Sequence, residues 1–237
     1  MTIKLGNTPV TLLPAHAVFL EKSAVLIVSD MHLGKSATFR SRGIPVPEGD
    51  TQGDLNALSF LIEKHSPKHL IIAGDLVHAK DGMSLHVMEI FRTWAASLTI
   101  PMILTEGNHD RMARLLEHTL PIEIVPFIEI DGLHITHDPN ELPKNIPGIA
   151  GHFHPGIRIP ESSRHSVRTP FFCLRHQQHL ILPAFSRFTG MNIIELEHED
   201  RVFVPIKERV LEIPQPRKSA TTRSGTITPD PRRTGCA

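Results

Sequence analysis

Five short segments hold most of the side chains in this sequence that are suited to binding a cation or moving a proton: "SDMH" at 29–32, "AGDLVH" at 73–78, "EGNHD" at 106–110, "ITHD" at 135–138 and "GHFH" at 151–154. Between them they offer Asp30, His32, Asp75, Asn108, His109, His137, His152 and His154, all oxygen or nitrogen donors. In "GHFH" the two imidazoles stand two residues apart, so on an extended chain they share one face. One aspartate after an apolar run is ordinary turn chemistry. Five segments that each end in donor side chains point instead to metal ligation. Carboxylate, imidazole and amide oxygen without thiolate suit Mn²⁺ best, with Zn²⁺, Fe²⁺ or Co²⁺ as substitutes. His134 competes with His137 as the fourth segment's donor; His137 is preferred because it ends its run beside Asp138, whereas His134 is flanked by apolar residues.

The elements needed to bring these segments together are legible in the apolar pattern. "AVLIVSD", "HLIIAGD" and "PMILTEGNHD" are unbroken apolar runs ending in polar residues, the pattern of buried central strands. Between them, Leu55, Leu58, Leu61 and Ile62 recur at helical spacing, as do Leu85, Met88, Phe91 and Ala95. Strand alternating with helix predicts a βαβ sheet whose ligands sit beyond the carboxyl ends of the strands. After about residue 121 the pattern becomes short strands and turns such as Asp131-Gly132, so a β-rich half is expected there. A further strand pair turning at Gly6-Asn7 is expected at the start of the chain. The fold class this predicts is α/β, two mixed sheets packed face to face and flanked by helices.

In this order, D-x-H, G-D, G-N-H-D, a lone His and G-H-x-H, the sequence resembles the calcineurin-like metallophosphoesterases, with a four-layer αββα sandwich. The resemblance implies that Asp30, His32 and His154 hold one divalent metal, that Asn108, His137 and His152 hold a second, and that Asp75 bridges both. The flanking blocks "SDMHLGKSATFRSRGIPVPEG", "GDLVH" and "LPAFSRFTG" are similar to those of the ligase-associated DNA damage response endonucleases within that superfamily. This closer likeness implies a phosphodiester substrate, DNA or a nucleotide, and repair proteins such as a ligase or helicase as partners.

Two divalent cations about 3.5–4 Å apart can share a hydroxide, lower its pKa and clamp a phosphoryl group for in-line attack. His109, placed by the resemblance outside the metal ligands, is the candidate to stabilise the transition state or protonate the leaving oxygen. Asp110 or Asp30 would orient its ring. Arg40 and His78 are candidate substrate contacts, and Lys35 is a further cation near the first segment. "LGKS" at 33–36 imitates the end of a phosphate-binding loop, but the glycine required at position 29 is Ser29. The competing readings are a non-catalytic scaffold with the same fold, which the full set of ligand types argues against, and a phosphodiesterase of small nucleotides unrelated to repair.

Equal numbers of Lys+Arg and Asp+Glu, 25 each, give zero formal charge, so a polyanion must be recruited locally. Two cysteines, Cys173 and Cys236, allow no disulfide framework, and no apolar run is long enough to span a bilayer. The expectation is a cytoplasmic protein with no membrane partner. Residues 1–213 read as the metallophosphoesterase domain. Residues 214–237, rich in Pro, Ser, Thr and Arg, read as a disordered basic tail, with Arg217, Lys218, Arg223, Arg232 and Arg233 against Asp230. Deleting residues 215–237 is therefore expected to leave the melting temperature and turnover of a small phosphodiester unchanged. A large fall in melting temperature would show that the tail docks, and a salt-sensitive fall in DNA affinity alone would show an electrostatic arm.

Overall fold

The computed structural model describes residues 1–47, 49–79, 82–108, 110, 122–160 and 165–215. His109 and the tail from residue 216 lie outside the described residues. Seven strands form the first sheet, in chain order: β1 (Thr2–Leu5), β2 (Thr8–Leu13), β3 (Ala17–Leu20), β4 (Val25–Val28), β5 (His69–Ala73), β6 (Met102–Thr105) and β7 (Ile122–Val125). Pairing is antiparallel from β1 to β4 and parallel from β4 to β7.

The unbroken apolar runs arise because both faces of the central strands are covered. Leu26, Val28, Leu70, Ile72, Met102 and Leu104 pack toward the helices. Their alternates Val25, Ile27, Ile71, Ala73 and Ile103 pack toward the second sheet. The helices are α1 (Lys35–Ser41), α2 (Asp50–His65) and α3 (Leu85–Ser97). From α2, Leu55, Leu58 and Leu61 enter the core as expected. In α3 the buried stripe runs through Val87, Phe91, Trp94 and Ala95, and Leu85 is 90% exposed. This corrects the expected face: Leu85 immediately follows the cap Ser84, whose hydroxyl accepts the Val87 N–H, so it lies ahead of the stripe. Trp94 Nε1 donates to Ser59 Oγ at 2.8 Å and ties α3 to α2.

The remaining strands are β8 (Ile128–Ile130), β9 (Leu133–Ile135), β10 (Gly148–Ala150), β11 (Pro155–Pro160), β12 (Ser166–Pro170), β13 (Phe172–Arg175), β14 (His179–Ile181), β15 (Asn192–Ile193), β16 (Arg201–Ile206) and β17 (Arg209–Ile213). The second large sheet runs β17-β16-β13-β14-β10-β9-β8, with β9, β10 and β14 parallel. The inter-sheet core joins Leu12, Leu20 and Ile27 to Ile135, Ile149, Phe172 and Phe203. The strand-rich half expected after about residue 121 begins with β7, which joins the first sheet beside β6. Among the described residues, the outer face of the second sheet packs on the small sheet β12-β11-β15, with Phe171, Cys173, Val202 and Val204 between them. Gln215 Nε2 donates to Glu197 O at 2.6 Å, so truncation of the tail is best begun after Gln215. Among the described residues, no helix is long and apolar enough to cross a membrane.

The segment 183–190 crosses the rim of both sheets. Its Phe185 N–H donates to Ser29 O at 2.9 Å, and its Arg187 N–H to Asp54 Oδ1 at 3.4 Å. Burial pushes the Asp54 carboxyl up to about 6, against the hydrogen bonds from Ser186 and Arg187. Below about pH 4 both the folded and unfolded chains hold this proton. As pH rises toward 6 only the folded chain keeps it, so Asp54 lowers stability across that window and contributes no further slope above it. Denaturant unfolding of wild type and Asp54→Asn is expected to show the wild type losing stability relative to the variant from pH 4 to 6. A difference independent of pH would contradict the assignment.

Candidate metal centre

The donor residues follow the carboxyl ends of parallel strands from both sheets. Asp30, Asp75 and Asn108 come just after β4, β5 and β6; His137 and His152 come just after β9 and β10. The packing of the two sheets brings these ends to one rim. Backbone bonds fasten them there: Asp30 N–H to Gly74 O at 3.1 Å, His32 N–H to Asp75 O at 2.9 Å and Gly151 N–H to His137 O at 3.1 Å.

Five of these residues have left-handed backbone: Asp30 at φ 53°, His32 at 45°, Asp75 at 51°, His152 at 68° and His154 at 46°. Each costs on the order of 1–2 kcal/mol relative to the right-handed regions. Asp and His tolerate this region better than most residues, and strain of this kind concentrates where side chains must be aimed.

The side chains converge as two groups. In the first, Asp30, His32 and His154 place ligand atoms within 4.8 Å of one another; Asp75, His137 and His152 do the same in the second. His32 Nε2 and His154 Nε2 are 3.2 Å apart, and His154 Nε2 is 3.1 Å from Asp30 Oδ1. Asp75 lies between the groups, with Oδ2 3.9 Å from His32 Nε2 and Oδ1 3.5 Å from His137 Nε2. Asn108 joins the second group, its Oδ1 3.0 Å from His137 Nε2.

The tautomer of His137 tests whether this set suits a cation. Its Nδ1 is 3.1 Å from Ala73 O, which can only accept, so Nδ1 carries the proton. In the neutral ring Nε2 is then a bare lone pair, yet it faces Asn108 Oδ1, Asp75 Oδ1 and, at 3.1 Å, His152 Nδ1. Lone pairs turned on one another are repulsive alone and fit a positive ion, and a ligand histidine bonded through its other nitrogen to a carbonyl is the usual support for one.

Two glycines allow the close packing. A Cβ on Gly151 would lie 2.5 Å from Asp30 Oδ2, and one on Gly107 would collide with Asp75. Asp110 is fully buried, and its carboxylate accepts the Gly107 N–H at 2.9 Å and the Val77 N–H at 3.2 Å. It therefore braces the ends of two strands. Burial raises its carboxyl to about 6, with those two N–H groups pulling it back down.

Of the other expected residues, His78 packs edge-on against His32, with ring centroids 5.3 Å apart. Arg40 donates through its guanidinium to Ser36 Oγ and Pro47 O, and it lines a cleft with Asp50, Gln52 and His86. Lys35 lies within reach of the centre's charge. Burial lowers its pKa, and the charges of Asp30 and Asp75 raise it. His134 lies in β9, stacked on Phe127 and 3.5 Å from Glu129, away from the donors. His16 was not singled out by any local pattern, yet it lines the same cleft as His154, 138 positions away in sequence.

Residues 23–165, which contain every donor, match the sequence profile of the calcineurin-like phosphoesterases. The chain belongs to that family. This phosphoesterase is therefore a metal-dependent hydrolase, with two candidate metal-binding groups at the strand ends. Its structure is similar to the crystal structure of Pseudomonas putida nuclease MPE, with TM-score 0.76, 27% identity, and coverage of 90% of this chain and 99% of that one. YfcE, a phosphoesterase from E. coli, gives TM-score 0.41 at 18% identity over 80% of this chain and 97% of its own. AQ665 of Aquifex aeolicus, a protein of unknown function, gives 0.38 at 18% identity over 54% and 77%. No curated protein matches the phosphoesterase.

Gly151→Ala is expected to weaken metal binding by about 10–100-fold, the usual effect of disturbing a group that supports a ligand. Calorimetric metal titration checks this, and an affinity equal to wild type would contradict the packing described around Asp30.

Proposed function

We propose that this chain is a dinuclear phosphodiesterase acting on nucleic acid, with Asp30, His32 and His154 holding one divalent cation, Asn108, His137 and His152 the other, and Asp75 shared. The observation that carries the reading is the Asp75 carboxylate, whose two oxygens face different histidine groups. When bound, such a pair of cations acidifies a water and offsets charge on the phosphoryl oxygens. The donor mixture favours Mn²⁺.

Within this reading the chain's own groups have separate tasks. Asp75 holds the two halves of the site together across the sheets. His137 is locked in one tautomer by Ala73 O, which keeps Nε2 available as a donor. Asp110 positions rather than reacts, since both its oxygens are engaged with backbone N–H groups of the segments bearing Asp75 and Asn108. Lys35 supplies positive charge toward the phosphoryl group. His109, adjacent to Asn108, protonates the leaving oxygen. The similarity to the nuclease from Pseudomonas putida over 90% of this chain supports a nucleic-acid substrate, and the likeness of the flanking motifs to a repair-associated family favours DNA repair as its setting.

Two variants test the roles together. Asp75→Asn is expected to abolish hydrolysis of bis(p-nitrophenyl) phosphate even at saturating Mn²⁺, and near-normal turnover would contradict the shared ligand. His109→Ala is expected to retain both metals and lower kcat, with a smaller loss for good leaving groups. Loss of a metal equivalent, or an equal defect for good and poor leaving groups, would remove the acid role.

A further inference from the structure

Beside His154 opens a cleft of about 230 Å³ whose walls include His16, Pro155, Pro170, Arg187 and Met191. A smaller one of about 160 Å³, against Asp54, shares His16 and Arg187 with it. These two residues thus form a polar wall next to the first metal group. The wall is held by the same backbone that holds the centre. Phe185 N–H donates to Ser29 O, immediately before Asp30, and two residues later Arg187 N–H is fixed on Asp54. His16 Nδ1 donates to Ala184 O at 2.9 Å from the turn between β2 and β3. Burial lowers the pKa of His16 despite that bond, which disfavours a charged ring there. Arg187 is then the cation of the cleft, and among the described residues its guanidinium makes no hydrogen bond or ion pair.

The chemistry of such a cleft is specific. Pro155, Pro170 and Met191 are apolar surfaces on which a sugar or base can rest, while a guanidinium matches the geometry of a phosphate oxygen pair. The cleft begins at His154, so a strand whose scissile phosphate lies at the metal centre would run its neighbouring nucleoside into it. Resting on the phosphodiesterase reading above, we infer that Arg187, with His16 beside it, is a subsite for the phosphate that flanks the scissile one in a nucleic-acid strand. Arg187 is thus a residue that selects nucleic acid over a simple diester. It does not take part in bond cleavage. Asp54 is a positioning residue that acts through the Arg187 backbone.

The test uses the full chain and Arg187→Gln. Kinetics with Mn²⁺ compare a short single-stranded oligodeoxynucleotide with bis(p-nitrophenyl) phosphate, which has no flanking phosphate. The variant is expected to shift the ratio of the two kcat/KM values by about tenfold against the oligonucleotide, the order for losing one charge-assisted hydrogen bond. It should do so through KM. Anisotropy with the labelled oligonucleotide and metal-free protein gives a readout independent of turnover: the slope of log K against log salt should become shallower by about 0.7, the value for one single-strand phosphate contact. An unchanged ratio and slope would overturn the subsite. Equal losses on both substrates would also overturn it, because Arg187 would then act on the centre. Absence of metal-dependent hydrolysis of either substrate by the wild type would refute the phosphodiesterase reading, while the salt slope would still decide whether Arg187 contacts a phosphate.

Discussion

Two buried carboxylates, Asp30 and Asp75, lie 3–4 Å from the imidazoles of His32, His137 and His154, and the rest of the fold is arranged around keeping them there. Burying a carboxylate is unfavourable unless a hydrogen-bond donor or a cation compensates it. The backbone provides only part of this: the His152 N–H donates to both Asp30 oxygens, at 3.2 and 3.1 Å. The imidazole nitrogens that complete the surroundings are in part lone pairs, as the His137 tautomer requires. The centre is thus short of positive charge on its own, and a divalent cation in each group would supply it.

The two-sheet architecture follows from the same requirement. Donor side chains from the β4–β6 ends and from the β9 and β10 ends can meet only if both sheets point their parallel strands at one rim, and the apolar inter-sheet core of Ile27, Ile71, Ile135 and Ile149 fixes that orientation. The left-handed turns at Asp30, His32, Asp75, His152 and His154 then swing each side chain inward. Their combined strain is several kcal/mol by order of magnitude, comparable with the net stability of a domain, so it persists only because the surrounding hydrogen bonds and core overdetermine it. Asp110 is one of those restraints, joining Val77 to Gly107.

Much of this was legible in the sequence because it is local. Apolar runs that end in Asp or Asn, the helical spacing in 50–65 and the donor order from Asp30 to His154 all depend on neighbouring residues. What was not legible depends on distant partners. Leu85 fits a helical stripe by spacing, but the Ser84 cap places it outside the core. β7 reads like the β-rich segment that follows it and pairs with the sheet that precedes it. Conversely, His16 and Asp54 have no motif and Arg187 stands in the flanking block "LPAFSRFTG", and only the crossing of segment 183–190 over the rim brings the three together.

The central claim is that one carboxylate, Asp75, joins two metals in a single centre. Electron paramagnetic resonance of the protein loaded with Mn²⁺ tests it most directly, since ions bridged by a shared carboxylate couple their spins and ions in separate sites do not. The account predicts a spin-coupled spectrum at two Mn²⁺ per chain. The uncoupled spectrum of isolated ions at that same loading would contradict it.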